Sequence, residues 1–431
     1  MRPVWHNAAM PADTFSAAGL RRALVIKLRH HGDVLLATPV ISTLKRLAPR
    51  CEIDALAYAD TAPMLAGHPD LAQLHLIDRN WKRQGLRRQG AAEWRLVRGL
   101  RARHYDLVVH LSVHTRGAWL VRLLRPRWSV APRFRGGFWE KSFSHFYPAQ
   151  SHSYRHTVDT NLDALRALGL TPQPADMQVK LVPGHEAEER VAGLLAAAGI
   201  ADAGFIHIHP ASRWGFKCWT AERVGALCDA LAAHGWPLVL TAAPEAKEKE
   251  LVAAALAARA AVSPAPTLDL SGKLTLKELA ALAARARLFV GVDSAPMHIA
   301  AAMGTPTVGI FGPSGDREWG PWDNEGKGRH RVVASLIHPC RPCGRAGCED
   351  SKVSECLTTL PVAQVLAACE ELLAIPPAPC PGQGSAGAPL RDTMTAIPPA
   401  PCPGQGVTEV RRDAAPDQDG PALGRPGGPA T

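Results

Sequence analysis

The chain has 431 residues, enough for two ordinary domains and extra material, and its 46% hydrophobic share excludes a wholly unfolded polymer. Its net charge of +10 is uneven: from Arg79 to Arg155 there are 17 Lys and Arg against three acids, so the rest of the chain is net −4. That basic region suits an anionic partner such as nucleic acid, acidic lipid headgroups or a phosphorylated substrate.

No run of ~18 uninterrupted apolar residues occurs, and the N-terminal stretch MRPVWHNAAMPADTFSAAGL lacks the roughly 7–15-residue apolar core of an export signal. The expectation is a cytoplasmic protein resting at most on a membrane surface. Apolar runs alternate with Ala-, Leu- and Arg-rich helical stretches: ALVI (23–26), IDALA (53–57), DLVVHL (106–111), FIHI (205–208), PLVLT (237–241), LFVGV (288–292) and PTVGIF (306–311). Near-continuous apolar strands separated by helices predict parallel sheets covered on both faces. The pattern pauses over 168–189, which reads as a crossover. The expected organisation is a flexible N-terminus (1–20), an N-terminal α/β domain (21–175), a crossover (176–188) and a C-terminal α/β domain (189–374). Ligands in such folds bind beyond the carboxyl ends of the strands. From 375 to 431 the composition changes: thirteen prolines and nine glycines fill the stretch, and AIPPAPCPGQG occurs at 374–384 and again at 396–406. This exceeds the ~25–30% Pro+Gly level of unfolded segments, and two copies are too few for a solenoid.

Four motifs carry chemistry. In ALVIKLRHHGDVLLATPVISTLK (23–45), a strand breaks into Arg29, His30, His31, Gly32 and Asp33, then resumes as a helix near Thr38-Pro39, where proline suits the first turn. Gly32 is expected to allow a sharp turn. Asp33, at a strand's carboxyl end, is either a base for a substrate hydroxyl or a helix cap. HPASRWGFKCWT (209–220) offers Ser212, Arg213 and Lys217 to phosphates, or is a surface loop anchored by Trp214 and Trp219. In GVDSAPMHIAAAMGTPTVGIFGPS (291–314), Asp293 ends a strand, Ser294 and Ala295 let a ligand approach the backbone, and His298 lies on the first helical turn. Exposed N–H groups and the positive end of the helix dipole make such a turn a pyrophosphate seat. Cys340, Cys343, Cys348 and Cys356, separated by two, four and seven residues, are a candidate set for a structural zinc or an Fe–S cluster.

The first three motifs, in this order and spacing, resemble the ADP-heptose:lipopolysaccharide heptosyltransferases, over roughly residues 21–373. VIKLRHHGDVLLATPVISTLK is especially similar to the branch called heptosyltransferase III, and GVDSAPMHIAAAMGTPTVGIFGP matches the family's donor-binding signature. The resemblance implies a GT-B fold, two Rossmann-like doubly wound domains facing across a cleft. It also implies inverting transfer of L-glycero-D-manno-heptose from ADP-heptose to the lipopolysaccharide inner core at the cytoplasmic face of the inner membrane. Asp33 is then the base and Lys217 faces the donor diphosphate. Asp293, Ser294, Ala295 and His298 form the donor loop, Ser212 lies beside it, and Glu248, with Glu245 competing, contacts the nucleoside. Arg29, His31, Arg133 and Arg135 are the expected acceptor-binding groups. No cofactor is expected for catalysis. The alternatives are a related transferase using another nucleotide sugar or acceptor, and a basic nucleic-acid-binding protein on a Rossmann scaffold. The latter has only charge in its favour, since no nucleic-acid module is recognisable.

Overall fold

A computed structural model of the chain describes residues 15–134, 136–149, 154–260 and 265–374. The duplicated Pro/Gly tail and Arg135 lie outside the described residues. The first half runs β1 (Arg22–Ile26), α1 (His31–Leu35), α2 (Thr38–Leu47), β2 (Glu52–Tyr58), β3 (Gln73–Ile77) and α3 (Leu86–Ala102). It continues through β4 (Leu107–His110), α4 (Thr115–Leu124), β5 (Trp128–Pro132), α5 (Gly137–Glu140), β6 (His145–Tyr147) and α6 (Thr157–Arg166). The second half runs α7 (His185–Ala197), β7 (Ile206–His209), α8 (Ala221–Ala233), β8 (Leu238–Leu240), α9 (Ala246–Ala257), β9 (Thr267–Asp269) and α10 (Leu276–Arg285). Then follow β10 (Leu288–Val292), α11 (Ala295–Ala302), β11 (Thr307–Phe311), α12 (Asp316–Trp319), β12 (His330–Ala334), α13 (Glu355–Thr358) and α14 (Val362–Ala374).

The strands form two six-stranded sheets, ordered β3-β2-β1-β4-β5-β6 and β12-β11-β10-β7-β8-β9. Every strand pairing among the described residues is parallel; Val25 of β1, for example, sits opposite Ala55 of β2 and Val109 of β4. The central strands are fully buried: all five residues of LFVGV are inaccessible, as are the last four of RALVI. This is the burial that continuous apolar runs require. In both sheets the strand order reverses at the middle, beside β1 and β4 in one and β10 and β7 in the other, so the loops after these strands open at switch points where ligands bind. This is the GT-B architecture.

The two halves share apolar contact. The core cluster beneath the first sheet, with Val34, Val40, Ile41 and Leu162, continues into Leu279 and Ala280 of α10 and Ile299 of α11. Polar links reinforce it. Asn324 Nδ2 donates to the Val179 carbonyl (2.9 Å) while the Val179 N–H donates to Asn324 Oδ1 (2.7 Å). Thr157 Oγ1 donates to the Glu318 carbonyl (2.8 Å), and Trp322 Nε1 to that of Met177 (2.8 Å).

Candidate active site

The segment after β1 does not make the sharp turn expected at Gly32. His30, in extended conformation, precedes the five-residue α1, and Gly32 and Asp33 lie inside that helix without a positive φ. Asp33 is not its cap. Its side chain is 12% exposed, with Oδ1 3.5 Å from Arg29 Nε. His31 Nε2 lies 2.9 Å from the Asp60 carbonyl oxygen at the surface. What requires glycine at position 32 is close approach: a Cβ built there would meet His298 Cδ2, from the other half of the molecule, at 2.9 Å.

On that other half, Lys217 follows β7 in a single helical turn, and its Nζ lies 2.6 Å from Asp293 Oδ2 at the end of β10. Ser294 precedes α11 with its Oγ donating to the Val292 carbonyl (3.3 Å), Ala295 is the first helical residue, and Pro296 occupies the first turn. His298, one turn in, is buried, and its Nδ1 has no hydrogen-bond partner among the described residues. Burial holds its pKa below the ordinary value; Asp293 and Asp33 push it up and Lys217 pushes it down. Asp33, the imidazole and the Lys217–Asp293 pair therefore share one electrostatic neighbourhood.

Ser212 is buried, and its Oγ accepts the Trp214 N–H at 3.3 Å. Trp219, buried and donating through Nε1 to the Leu360 carbonyl (3.2 Å), anchors the loop; Trp214 is exposed. Of the two glutamates in TAAPEAKEKE, Glu248 is buried and accepts the Ala243 N–H (3.2 Å), whereas Glu245 is exposed. Burial pushes the Glu248 carboxyl up.

A cavity of about 310 Å³ opens beside Asp33, lined by Lys27, Arg29, Ser112, Asn161 and Trp319 among others. Lys27, absent from the sequence-based candidates, is buried with Nζ donating to the Leu111 carbonyl (3.0 Å) and Asn161 Oδ1 (3.1 Å). Burial lowers its pKa to about 8, against a smaller opposing pull from Asp33. A lysine directly after ALVI was the available signal. The buried hydroxyl of Ser112 has no partner among the described residues. Arg133 is not among the residues lining this cavity. It is exposed, its N–H donates to the Tyr147 carbonyl (2.6 Å), and its guanidinium lies 5.4 Å from the Phe146 ring centre.

The cysteines lie apart from the cleft residues in sequence and differ in exposure. Cys340 and Cys343 are exposed, Cys348 is half-buried and Cys356 is buried. Burial, then the neighbouring thiols, raises the Cys356 pKa. Among the described residues no group of three or more His, Cys, Asp or Glu is arranged to hold a metal ion.

A carboxylate on one side of the cleft thus faces a cation and a helix N-terminus on the other. The first can take a proton; the second can hold a departing phosphate. The family model "Glycosyltransferase family 9 (heptosyltransferase)" matches residues 93–353. Lipopolysaccharide heptosyltransferase 3 of Escherichia coli is 35% identical over 353 residues, spanning 80% of this chain and 97% of that protein. Among solved structures, a glycosyl transferase of family 9 from Veillonella parvula superposes with a TM-score of 0.70 at 22% identity, covering 84% of this chain and 99% of that one. E. coli heptosyltransferase WaaC with ADP-2-deoxy-2-fluoro heptose does so with a TM-score of 0.60 at 19% identity, covering 81% and 99%. The chain belongs to glycosyltransferase family 9, the heptosyltransferases.

Proposed function

We propose that the protein transfers L-glycero-D-manno-heptose from ADP-heptose to the inner core of lipopolysaccharide, with inversion at the anomeric carbon. The observation that carries this reading is the close approach of α1 to His298 at Gly32, which brings Asp33 and the Lys217–Asp293 pair within electrostatic reach of one imidazole. In this reading the donor diphosphate lies against Lys217 and the first N–H groups of α11. Asp293 holds the ammonium of Lys217 at that end of the helix. The acceptor hydroxyl enters from the cavity beside Asp33, and Asp33 takes its proton as the oxygen attacks the anomeric carbon. The bond from that carbon to the β-phosphate oxygen breaks, and the charge on ADP is stabilised by Lys217 and the helix N-terminus. One displacement inverts the configuration. Base and leaving-group stabiliser both come from the chain, so the reaction as proposed asks for no metal.

Glu248 and Ser212 belong to the donor side of this reading, Arg29 and His31 to the acceptor side, and Arg133 to the surface around it. The acceptor is a glycolipid, which places the enzyme at the cytoplasmic face of the inner membrane as a peripheral protein; no described helix is long and apolar enough to cross a membrane. The test is incubation of purified protein with ADP-heptose and a core acceptor lacking the final heptose, read by mass spectrometry and anomeric NMR. Gain of one heptose with inverted configuration is expected. Consumption of another nucleotide sugar in preference to ADP-heptose overturns the reading.

A further inference from the structure

The basic stretch 79–155 carries exposed apolar side chains among its arginines. Helix α3 carries five arginines against one acid, with Trp94 59% exposed among them. Helix α4 presents Trp119 and Leu123 one turn apart, both exposed, and the segment after β5 adds Phe134 and Phe138. Contacts join these into one face. Arg116 of α4 pairs with Glu93 of α3. The Trp119 and Phe138 rings lie 4.6 Å apart. Arg122 lies 4.7 Å from the Phe138 ring centre and donates to Ser142 Oγ at 2.8 Å. Single exposed apolar residues need no explanation, but a contiguous set interleaved with arginines does.

We propose that this α3–α4–α5 face docks on an anionic lipid bilayer. Its Trp, Phe and Leu side chains enter the headgroup region while its arginines meet lipid phosphates, as on interfacial surfaces of peripheral proteins. Aliphatic groups distinguish this partner from single-stranded nucleic acid, whose bases stack on aromatic rings. Leu86, at the start of α3, is 88% exposed, and Leu123 stands beside Trp119. Position adds a second argument. Val113 and Pro132 line the cavity beside Asp33, and they lead directly into α4 and into the Phe134 segment. The docked face therefore borders the cavity, and a lipid-borne acceptor reaches Asp33 from the bilayer surface. In naming that lipid-borne acceptor the inference rests on the proposed function, but the docking itself is tested without transfer.

The experiment is sedimentation of the full chain with vesicles of phosphatidylglycerol and phosphatidylethanolamine, against vesicles of phosphatidylcholine alone. Binding to the anionic vesicles only, falling about tenfold as salt is raised past the screening of a surface interaction, is expected. Trp119→Ser/Leu123→Ser/Phe138→Ser should weaken partitioning by about tenfold or more, with an unchanged melting temperature and unchanged transfer to a delipidated core oligosaccharide. Arg87→Glu/Arg88→Glu, at two exposed positions of α3, leaves the apolar groups in place and should weaken it likewise. Absence of vesicle binding, equal binding to phosphatidylcholine, retention of binding by both variants, or displacement of the protein from vesicles by a single-stranded oligonucleotide would overturn the proposal. Vesicle binding without any heptose transfer counts against the proposed function alone.

Discussion

The imidazole of His298 occupies the space that a side chain on Gly32 would need. A Cβ at position 32 would lie 2.9 Å from His298 Cδ2, and that ring is buried between the halves of the molecule. The glycine's value is therefore spatial and not conformational, since α1 holds it in helical geometry. Gly32→Ala forces the ring or α1 to move. The expected cost is about 1–3 kcal/mol, the range for overpacking a tight contact, together with slower transfer as Asp33 shifts. Urea unfolding of the single and double variants checks this. Gly32→Ala should cost little once His298→Ala has removed the ring; two fully additive costs would mean that the contact is not what demands glycine.

For Asp33→Asn, turnover is expected to fall by about 10²–10⁴-fold, the usual worth of a positioned base. ADP-heptose affinity should stay within a few-fold, because Asp33 lies on the acceptor half whereas the donor phosphates are assigned to Lys217 and the start of α11. Steady-state kinetics with donor titration by calorimetry separates the two quantities. Arg29→Ala is the control for the 3.5 Å pair: it removes an exposed partner, and exposed pairs contribute at most about 1 kcal/mol. Near-normal turnover in Asp33→Asn would leave the carboxylate as that partner and nothing more.

How much of this was legible in the chain follows from where each residue finds its neighbours. ALVI, LFVGV and PTVGIF read as strands because central parallel strands are buried on both faces, which makes the sequence locally apolar. Strands β3 (QLHLI) and β9 (TLD) did not, since they are short or half polar and gain their place from a partner strand. The loops after β1, β7 and β10 were readable because strand end, small residue and charged residue stand next to one another. Lys27 and Gly32 were not: the lysine's acceptors, at Leu111 and Asn161, are 84 and 134 residues away. His298 is farther still from Gly32. Tertiary contact, not local pattern, gives both residues their roles.

The Lys217–Asp293 pair makes two separable contributions. Lys217→Met removes the cation that faces the donor phosphates and strands a carboxylate whose side chain is only 7% exposed. ADP affinity should fall by about tenfold or more, as expected when a charge-assisted contact is lost, and the melting temperature should fall as well, since an unpaired buried charge destabilises. The double variant Lys217→Met/Asp293→Asn is expected to recover the stability and not the affinity. Calorimetry with ADP beside thermal unfolding tests this; recovery of affinity in the double variant would place the diphosphate elsewhere.

Lys27 gives the fold a pH dependence of defined sign. Burial lowers its pKa from 10.5 to about 8. Below about pH 8 the folded and unfolded chains both hold the proton, and the folded state bears the full cost of a buried ammonium. Between about 8 and 10.5 the folded chain releases the proton while the unfolded chain keeps it, so stability attributable to this group rises with pH. The whole gain is about 3 kcal/mol as an order of magnitude. The neutral amine still donates to the Leu111 carbonyl and Asn161 Oδ1, so the network holding β1, β4 and α6 survives the proton's loss. Lys27→Met cannot titrate, and it leaves those two acceptors without their donor, at a cost of about 1–3 kcal/mol each if no water replaces it. Urea unfolding of both proteins from pH 7.5 to 10.5 should therefore show the wild type gaining on the variant, with the gap widening above pH 8. Parallel stability curves would mean that the ammonium stays charged throughout, held by an interaction stronger than the cost of its burial.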